Sequence, residues 1–220
     1  MPKVDLRLYA LADADNLGVD DLAAQAAQAA RNGATVIQYR DKTGTSRQLV
    51  ERGRAIREAL LGTGVPLLVN DRVDVALAIA ADGVHLGRGD MHPDDARQIL
   101  GESAIIGLTV KNAADADLAA SAPIDYACIG GVFTTISKHN PEPPVGLHGF
   151  AALAERIRRS KSNMPVGAIA GIDFKTAPEI IAAGADGVAV ISAIFRATDP
   201  AEATKRMRAI IDQALEKRTT

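Results

Sequence analysis

Gly184-Ala185-Asp186-Gly187-Val188-Ala189-Val190-Ile191 joins small, turn-forming residues to an unbroken apolar run. Gly and Asp let a chain leave a helix and turn tightly, and the apolar residues behind them suit a strand buried on both faces. The signature recurs as Gly33-Ala34-Thr35-Val36 and Ala81-Asp82-Gly83-Val84. Each copy sits where a helix would end and a strand begin. Val65-Pro66-Leu67 and Met164-Pro165-Val166 mark two further strand starts.

Around these copies, short apolar runs alternate with longer amphipathic stretches along the whole chain. The runs predict strands at Leu6–Leu11, Val36–Tyr39, Leu67–Val69, Val84–Leu86, Ile105–Thr109, Tyr126–Ile129, Val166–Ile169 and Val188–Ile191. Between them, Asp20 or Asp21 can cap a helix running to Arg31, and Ser46 can start another that ends before Gly62-Thr63-Gly64. Pro200 suits the first turn of a last helix, in which Ala203, Met207, Ile210, Ile211 and Ala214 recur at helical spacing. Strand–helix units repeated without a linker predict an α/β fold, a single (β/α)8 TIM barrel filling residues 1–220 as one catalytic domain. A doubly wound open sheet is the alternative.

The formal net charge is -2 and Trp is absent, so neither bulk electrostatics nor stacking platforms point to nucleic acid. The single Cys, Cys128, excludes an intramolecular disulfide and, within Tyr126-Ala127-Cys128-Ile129, reads as a buried thiol. No signal-peptide pattern or membrane-length apolar run occurs, which predicts a cytoplasmic protein with no membrane partner. Association into a homo-oligomer is compatible with the sequence.

In a barrel of this kind the chemistry collects in the loops after the strands. The second strand exit, Gln38-Tyr39-Arg40-Asp41-Lys42, sets Gln38 and Arg40 on one face, with Lys42 joining them if the strand continues. An amide with two cations suits an anionic, ring-bearing substrate; a solvated charge run is the other reading. Asn70-Asp71-Arg72 and His85-Leu86-Gly87-Arg88-Gly89-Asp90 follow the third and fourth strands. Asp71 and Asp90 could together hold Mg2+, or serve as a helix N-cap and a turn residue. The long sixth exit carries Thr134-Thr135-Ile136-Ser137-Lys138, hydroxyls and a cation suited to phosphate, in a loop that reads as a lid or a surface insertion. Gly171 allows close backbone approach, and the amides at Ile191 and Ser192 could open a short helix towards a second phosphate.

Taken together, Gln38-Tyr39-Arg40-Asp41-Lys42, Val69-Asn70-Asp71, the His85–Asp90 segment, Thr135-Ile136-Ser137-Lys138 and Gly184-Ala185-Asp186-Gly187-Val188 resemble the motifs of the thiamine phosphate synthase family, in its order and spacing. The resemblance implies a transferase on a single barrel. It would use Mg2+ to condense hydroxymethylpyrimidine diphosphate with thiazole phosphate, giving thiamine phosphate and pyrophosphate. It assigns Gln38 and Thr109 to the pyrimidine, Arg40, Lys42, Asn70 and Lys138 to the diphosphate, and Asp71 and Asp90 to the metal. Thr135 and Ser137, with Gly171 and the Ile191 and Ser192 amides, would take the thiazole phosphate. Arg40, Lys42 and Lys138 would be the catalytic cations.

The chain departs from the family pattern at Ala170, commonly Gly, and at Arg88, Lys111, Thr134 and Ser137. Ala170 bears most on thiazole phosphate, because its methyl could crowd that site. A thiazole tautomerase-like barrel would need the diphosphate and metal residues less, and a non-catalytic sensor of thiamine precursors could lose the carboxylate pair. A phosphate-binding isomerase would show a committed acid/base pair, and none stands out.

Overall fold

The computed structural model describes residues 4–135 and 143–219. Parallel strands β1 Leu8–Asp13, β2 Val36–Arg40, β3 Leu67–Asn70, β4 Gly83–Leu86, β5 Ile105–Val110, β6 Tyr126–Ile129, β7 Val166–Ile169 and β8 Gly187–Val190 pair in chain order into a closed barrel. β8 returns to β1 with Val188 opposite Leu8, which closes the ring. The barrel, not the open sheet, is the fold.

Ten helices accompany the strands among the described residues: α1 Ala14–Leu17, α2 Leu22–Arg31, α3 Ser46–Ala59, α4 Val73–Ile79, α5 Pro93–Leu100, α6 Ala113–Ser121, α7 Gly146–Ser160, α8 Thr176–Ala182, α9 Ser192–Phe195 and α10 Pro200–Thr219. α2 begins after Asp21 and ends at Arg31, although the Asp21 side chain makes no capping bond. α3 is capped by Thr45 rather than started by Ser46 alone: the Thr45 hydroxyl accepts from the Gln48 amide while the Gln48 carbonyl takes the Thr45 amide. α10 opens on Pro200 and buries Met207 and Ile211 completely.

Two layers divide the apolar residues. Leu8, Ala10, Ile37, Tyr39, Val84, Ile106 and Leu108 point outward under the helices. Tyr9, Leu11, Leu68, Tyr126, Cys128 and Ala189 point inward and fill the barrel. Residues two apart therefore share a layer, and both layers are buried, which is why the strands read as continuous apolar runs.

The recurring Asp before a strand does more than turn the chain. Asp82 Oδ2 accepts the amide of Leu67 at 2.7 Å, Asp186 Oδ2 that of Val166 at 2.9 Å, and Asp125 Oδ2 that of Ile106 at 2.8 Å; Thr35 Oγ1 takes the amide of Leu8 at 3.0 Å. Each residue clamps the beginning of the strand next to its own. Gly83 and Gly187 follow because a Cβ there would lie 1.8 Å from the Ile105 carbonyl oxygen and 1.7 Å from that of Leu6.

The first strand differs from expectation. It spans Leu8–Asp13 instead of Leu6–Leu11, since the polar Asp13 is wholly buried at its end. Likewise β2 and β3 run on to Arg40 and Asn70. These three strands end on polar residues that face the site.

Candidate active site

A cavity of about 360 Å³ opens at the C-terminal ends of the strands. Gln38, Arg40, Asn70, Thr109, Thr135, Gly171, Ile191 and Ser192 all line it, so eight of the expected residues converge from β2, β3, β5 and the loops after β6, β7 and β8. Ser137 and Lys138 lie outside the described residues.

Arg40 is held by two carboxylates, Asp13 at 2.8 Å and Asp15 at 3.0 Å, with its side chain only 12% exposed. A buried guanidinium gripped from one side keeps its remaining donors in a fixed fork for an anion. Lys42 lies beyond the end of β2, half-exposed and ion-paired to Asp71. The loop carrying it is fixed by Asp41, which accepts from Arg52 at 2.6 Å and from the Gly44 amide at 2.8 Å. Asp41 thus serves the backbone, whereas Arg40 serves the cavity.

Asp71 follows Asn70 and adopts a left-handed backbone, φ 62, which Asp tolerates better than most residues. It is not the N-cap of α4; Arg72 occupies that place. The Asp71 and Asp90 carboxyls are hydrogen-bonded to each other. Burial, then the contact with Asp71, pushes Asp90 up to about 6. Burial also works to raise Asp71, but the bond from Asp90 and the Lys42 ammonium outweigh it and hold that carboxyl below its usual value. Asp90 is a turn residue as well, for one of its oxygens accepts the Gly87 amide at 2.7 Å.

This pair fits a hard divalent ion. Crowding of two carboxyls is relieved when a cation comes between them, and Mg2+ takes one or two carboxylates with water and phosphate oxygens. No group of three or more His, Cys, Asp or Glu converges among the described residues. Asp71 and Asp90 would therefore be its acidic ligands, with the other positions left to non-protein oxygens.

On the opposite side, Gly171 has φ 68, and a Cβ there would sit 2.4 Å from the Thr134 carbonyl oxygen. Its first duty is to let the loop after β6 cross the loop after β7. Ala170, which precedes it and also lines the cavity, holds φ 90, a value suited to Gly. The short helix α9 does open at Ser192.

The sequence reading missed Asp13, Tyr9 and His85, all of which line the cavity. Asp13 carried a signal, a lone acid closing an apolar run, but Tyr9 and His85 looked like core residues of their strands. Arg88 turns away to a two-bond pair with Asp115, at 2.9 and 3.0 Å, and Asp115 also accepts the Lys111 amide at 2.9 Å. Those departures from the family pattern thus share one partner, which ties the loops after β4 and β5 together.

Such a barrel, with polar groups converging at the C-terminal strand ends, has the architecture of a barrel enzyme with its site at that face. Residues 8–194 match the family described as thiamine monophosphate synthase. A thiamine-phosphate synthase of Agrobacterium fabrum is 62% identical over 218 residues, covering 99% of each chain. One from Roseiflexus is 42% identical over 96% of this chain and 87% of its own. Among solved structures, thiamine phosphate pyrophosphorylase from Pyrococcus furiosus superposes with a TM-score of 0.84 at 35% identity, covering 97% of this chain and 98% of that one. Orotidine 5'-phosphate decarboxylase from Pyrococcus horikoshii, at TM-score 0.66 and 17% identity over 93% of this chain and 99% of its own, shares the fold alone. The chain belongs to the thiamine monophosphate synthase family and is a transferase.

Proposed function

We propose that the chain condenses hydroxymethylpyrimidine diphosphate with thiazole phosphate, forming thiamine phosphate and releasing pyrophosphate. Membership of the family supports the reaction class. The observation that carries the reading is the contact between Asp71 and Asp90 beside a cavity lined by Gln38, Arg40 and Asn70. A tautomerase or a sensor has less use for that pair.

In this reading Gln38 and Thr109 hold the pyrimidine, while Arg40, Lys42, Asn70 and Lys138 face its diphosphate. Thr135, Ser137, Gly171 and the amides at Ile191 and Ser192 receive the thiazole phosphate. Mg2+ held by Asp71 and Asp90 would offset the charge of the diphosphate. The bond from the pyrimidine methylene carbon to the diphosphate oxygen breaks, and pyrophosphate leaves with the electron pair. The electron-rich aminopyrimidine supports the resulting cation. The thiazole nitrogen then donates its lone pair to the same carbon.

No side-chain nucleophile is needed. That agrees with Cys128, whose thiol is pushed by burial up to about 12 and so stays protonated. Arg40, Lys42 and Lys138 act as cations against the charge that develops on the leaving group. Holding both substrates in line supplies much of the rate. The reading implies small-molecule partners and a cytoplasmic setting; no described helix is long and apolar enough to cross a membrane.

Turnover measured against Mg2+ concentration tests the assignment. Asp71→Ala and Asp90→Ala are expected to lose on the order of 100-fold in rate at fixed Mg2+ while keeping wild-type circular dichroism. Undiminished turnover in either folded variant, or in wild type freed of divalent ions by a chelator, contradicts it.

A further inference from the structure

At the cavity floor, polar groups from five strands form one continuous hydrogen-bonded chain. Gln38 Nε2 donates to the Tyr9 hydroxyl. The Tyr9 and Tyr126 hydroxyls lie 2.8 Å apart, His85 Nδ1 is 2.8 Å from the Tyr126 hydroxyl, and His85 Nε2 is 2.8 Å from Thr109 Oγ1. Gln38 and Thr109, the two ends, line the cavity, as do Tyr9 and His85; Tyr126, at the middle, is fully buried and is the one member that does not. Burying so many polar atoms inside a barrel costs stability unless each is bonded, and apolar side chains would fill the same space without that condition. The fold makes room for the arrangement: a Cβ on Gly107 would lie 2.0 Å from Tyr126 Cζ.

Counting protons gives the chain a direction. Burial pushes both phenols well above their usual value, so each keeps its single proton. Tyr9 already receives an N–H from Gln38, and its own proton goes to Tyr126, the other bonded oxygen. With a neutral His85 ring, Tyr126 donates to Nδ1, the ring proton on Nε2 is given to Thr109, and the Thr109 hydroxyl proton is left for the cavity. Turning over the Gln38 amide reverses every bond: its carbonyl accepts from Tyr9, its N–H faces the cavity, and Thr109 offers a lone pair. The two ends always present opposite characters.

We propose that Tyr126 is a positioning residue, coupling Gln38 to Thr109 so that together they read a ring carrying both an N–H donor and a ring-nitrogen acceptor. An aminopyrimidine is such a ring. The identification of the ring rests on the synthase reading; the coupling does not. Tyr126 acts without touching substrate, by setting the donor and acceptor states of two groups that do.

The test compares Tyr126→Phe, Tyr9→Phe and the double variant, each checked by thermal melting. Each single change is expected to raise KM for hydroxymethylpyrimidine diphosphate about tenfold, and to leave KM for thiazole phosphate within about twofold. The double variant should be no worse than either single, because a chain can be cut only once. An unchanged pyrimidine KM in folded Tyr126→Phe, or losses that multiply in the double variant, would overturn the coupling. If Tyr126→Phe does not fold, folded Tyr9→Phe carries the test, and an unchanged pyrimidine KM in it overturns the coupling. Calorimetric binding of hydroxymethylpyrimidine diphosphate makes the comparison without turnover. A wild type that binds this ligand yet forms no thiamine phosphate would sink the synthase reading alone, and one that fails to bind it would sink both.

Discussion

Ala170 holds φ 90 at the cavity wall, pinned there because its carbonyl accepts the Phe133 amide at 3.1 Å. A left-handed backbone costs a residue with a Cβ about 1–2 kcal/mol. Ala170→Gly should therefore raise unfolding free energy by about 1 kcal/mol in urea titration, even though Gly loses more entropy on folding. An unchanged or lowered midpoint would contradict the strain. Asp41 makes a second residue-scale prediction. Burial raises its carboxyl, but the Gly44 amide, Arg52, the Thr43 amide and Tyr39 together hold it below its ordinary 3.8. A depressed acid stabilises fully above the unfolded value and loses that contribution as pH falls through the folded one. Asp41→Asn should thus be less stable than wild type at neutral pH, with the gap closing below about pH 4. Urea midpoints at pH 7 and pH 3 check this, and a gap that widens in acid would exclude it. A residue's place in the cavity was legible where its type was unusual for a strand end, as with Arg40 and Asn70. The places of Tyr9, His85 and Tyr126 were not, because a strand buried on both faces gives no sequence sign of which layer a side chain enters.

Strand-start clamps govern the element scale. Asp82, Asp125, Asp186 and Thr35 each take an amide of the preceding strand, pairing β3 with β4, β5 with β6, β7 with β8 and β1 with β2. Asp82→Ala would leave the Leu67 amide without its partner, and is expected to cost about 1–3 kcal/mol in urea titration. A loss below about 0.5 kcal/mol would show that water replaces the carboxylate freely. The repeated Ala-Asp-Gly-Val motif was readable as a turn signal. Its clamping role was not, since the acceptor meets an amide 15 residues earlier. Strand ends were misjudged for a related reason. Asp13, Arg40 and Asn70 look like loop residues by type, yet pairing and charge partners keep them within β1, β2 and β3.

For the whole molecule, closure of β8 on β1 brings segments far apart in sequence to one rim, so the end of β2 and the loops after β6, β7 and β8 surround a single cavity. The barrel was legible from the count and spacing of apolar runs. The polar strand exits could be read as a set because the fold sends every one of them to the same end. What periodicity could not supply was the through-barrel connection from Gln38 to Thr109, whose members come from five strands. The central claim is that these exits serve one condensation of two phosphorylated substrates. It is tested most directly by supplying hydroxymethylpyrimidine diphosphate and thiazole phosphate with Mg2+, and following thiamine phosphate and pyrophosphate together. The account predicts that both appear at equal rates and that neither forms when Mg2+ is withheld. Pyrophosphate released without matching thiamine phosphate, or no product from folded protein, would contradict it.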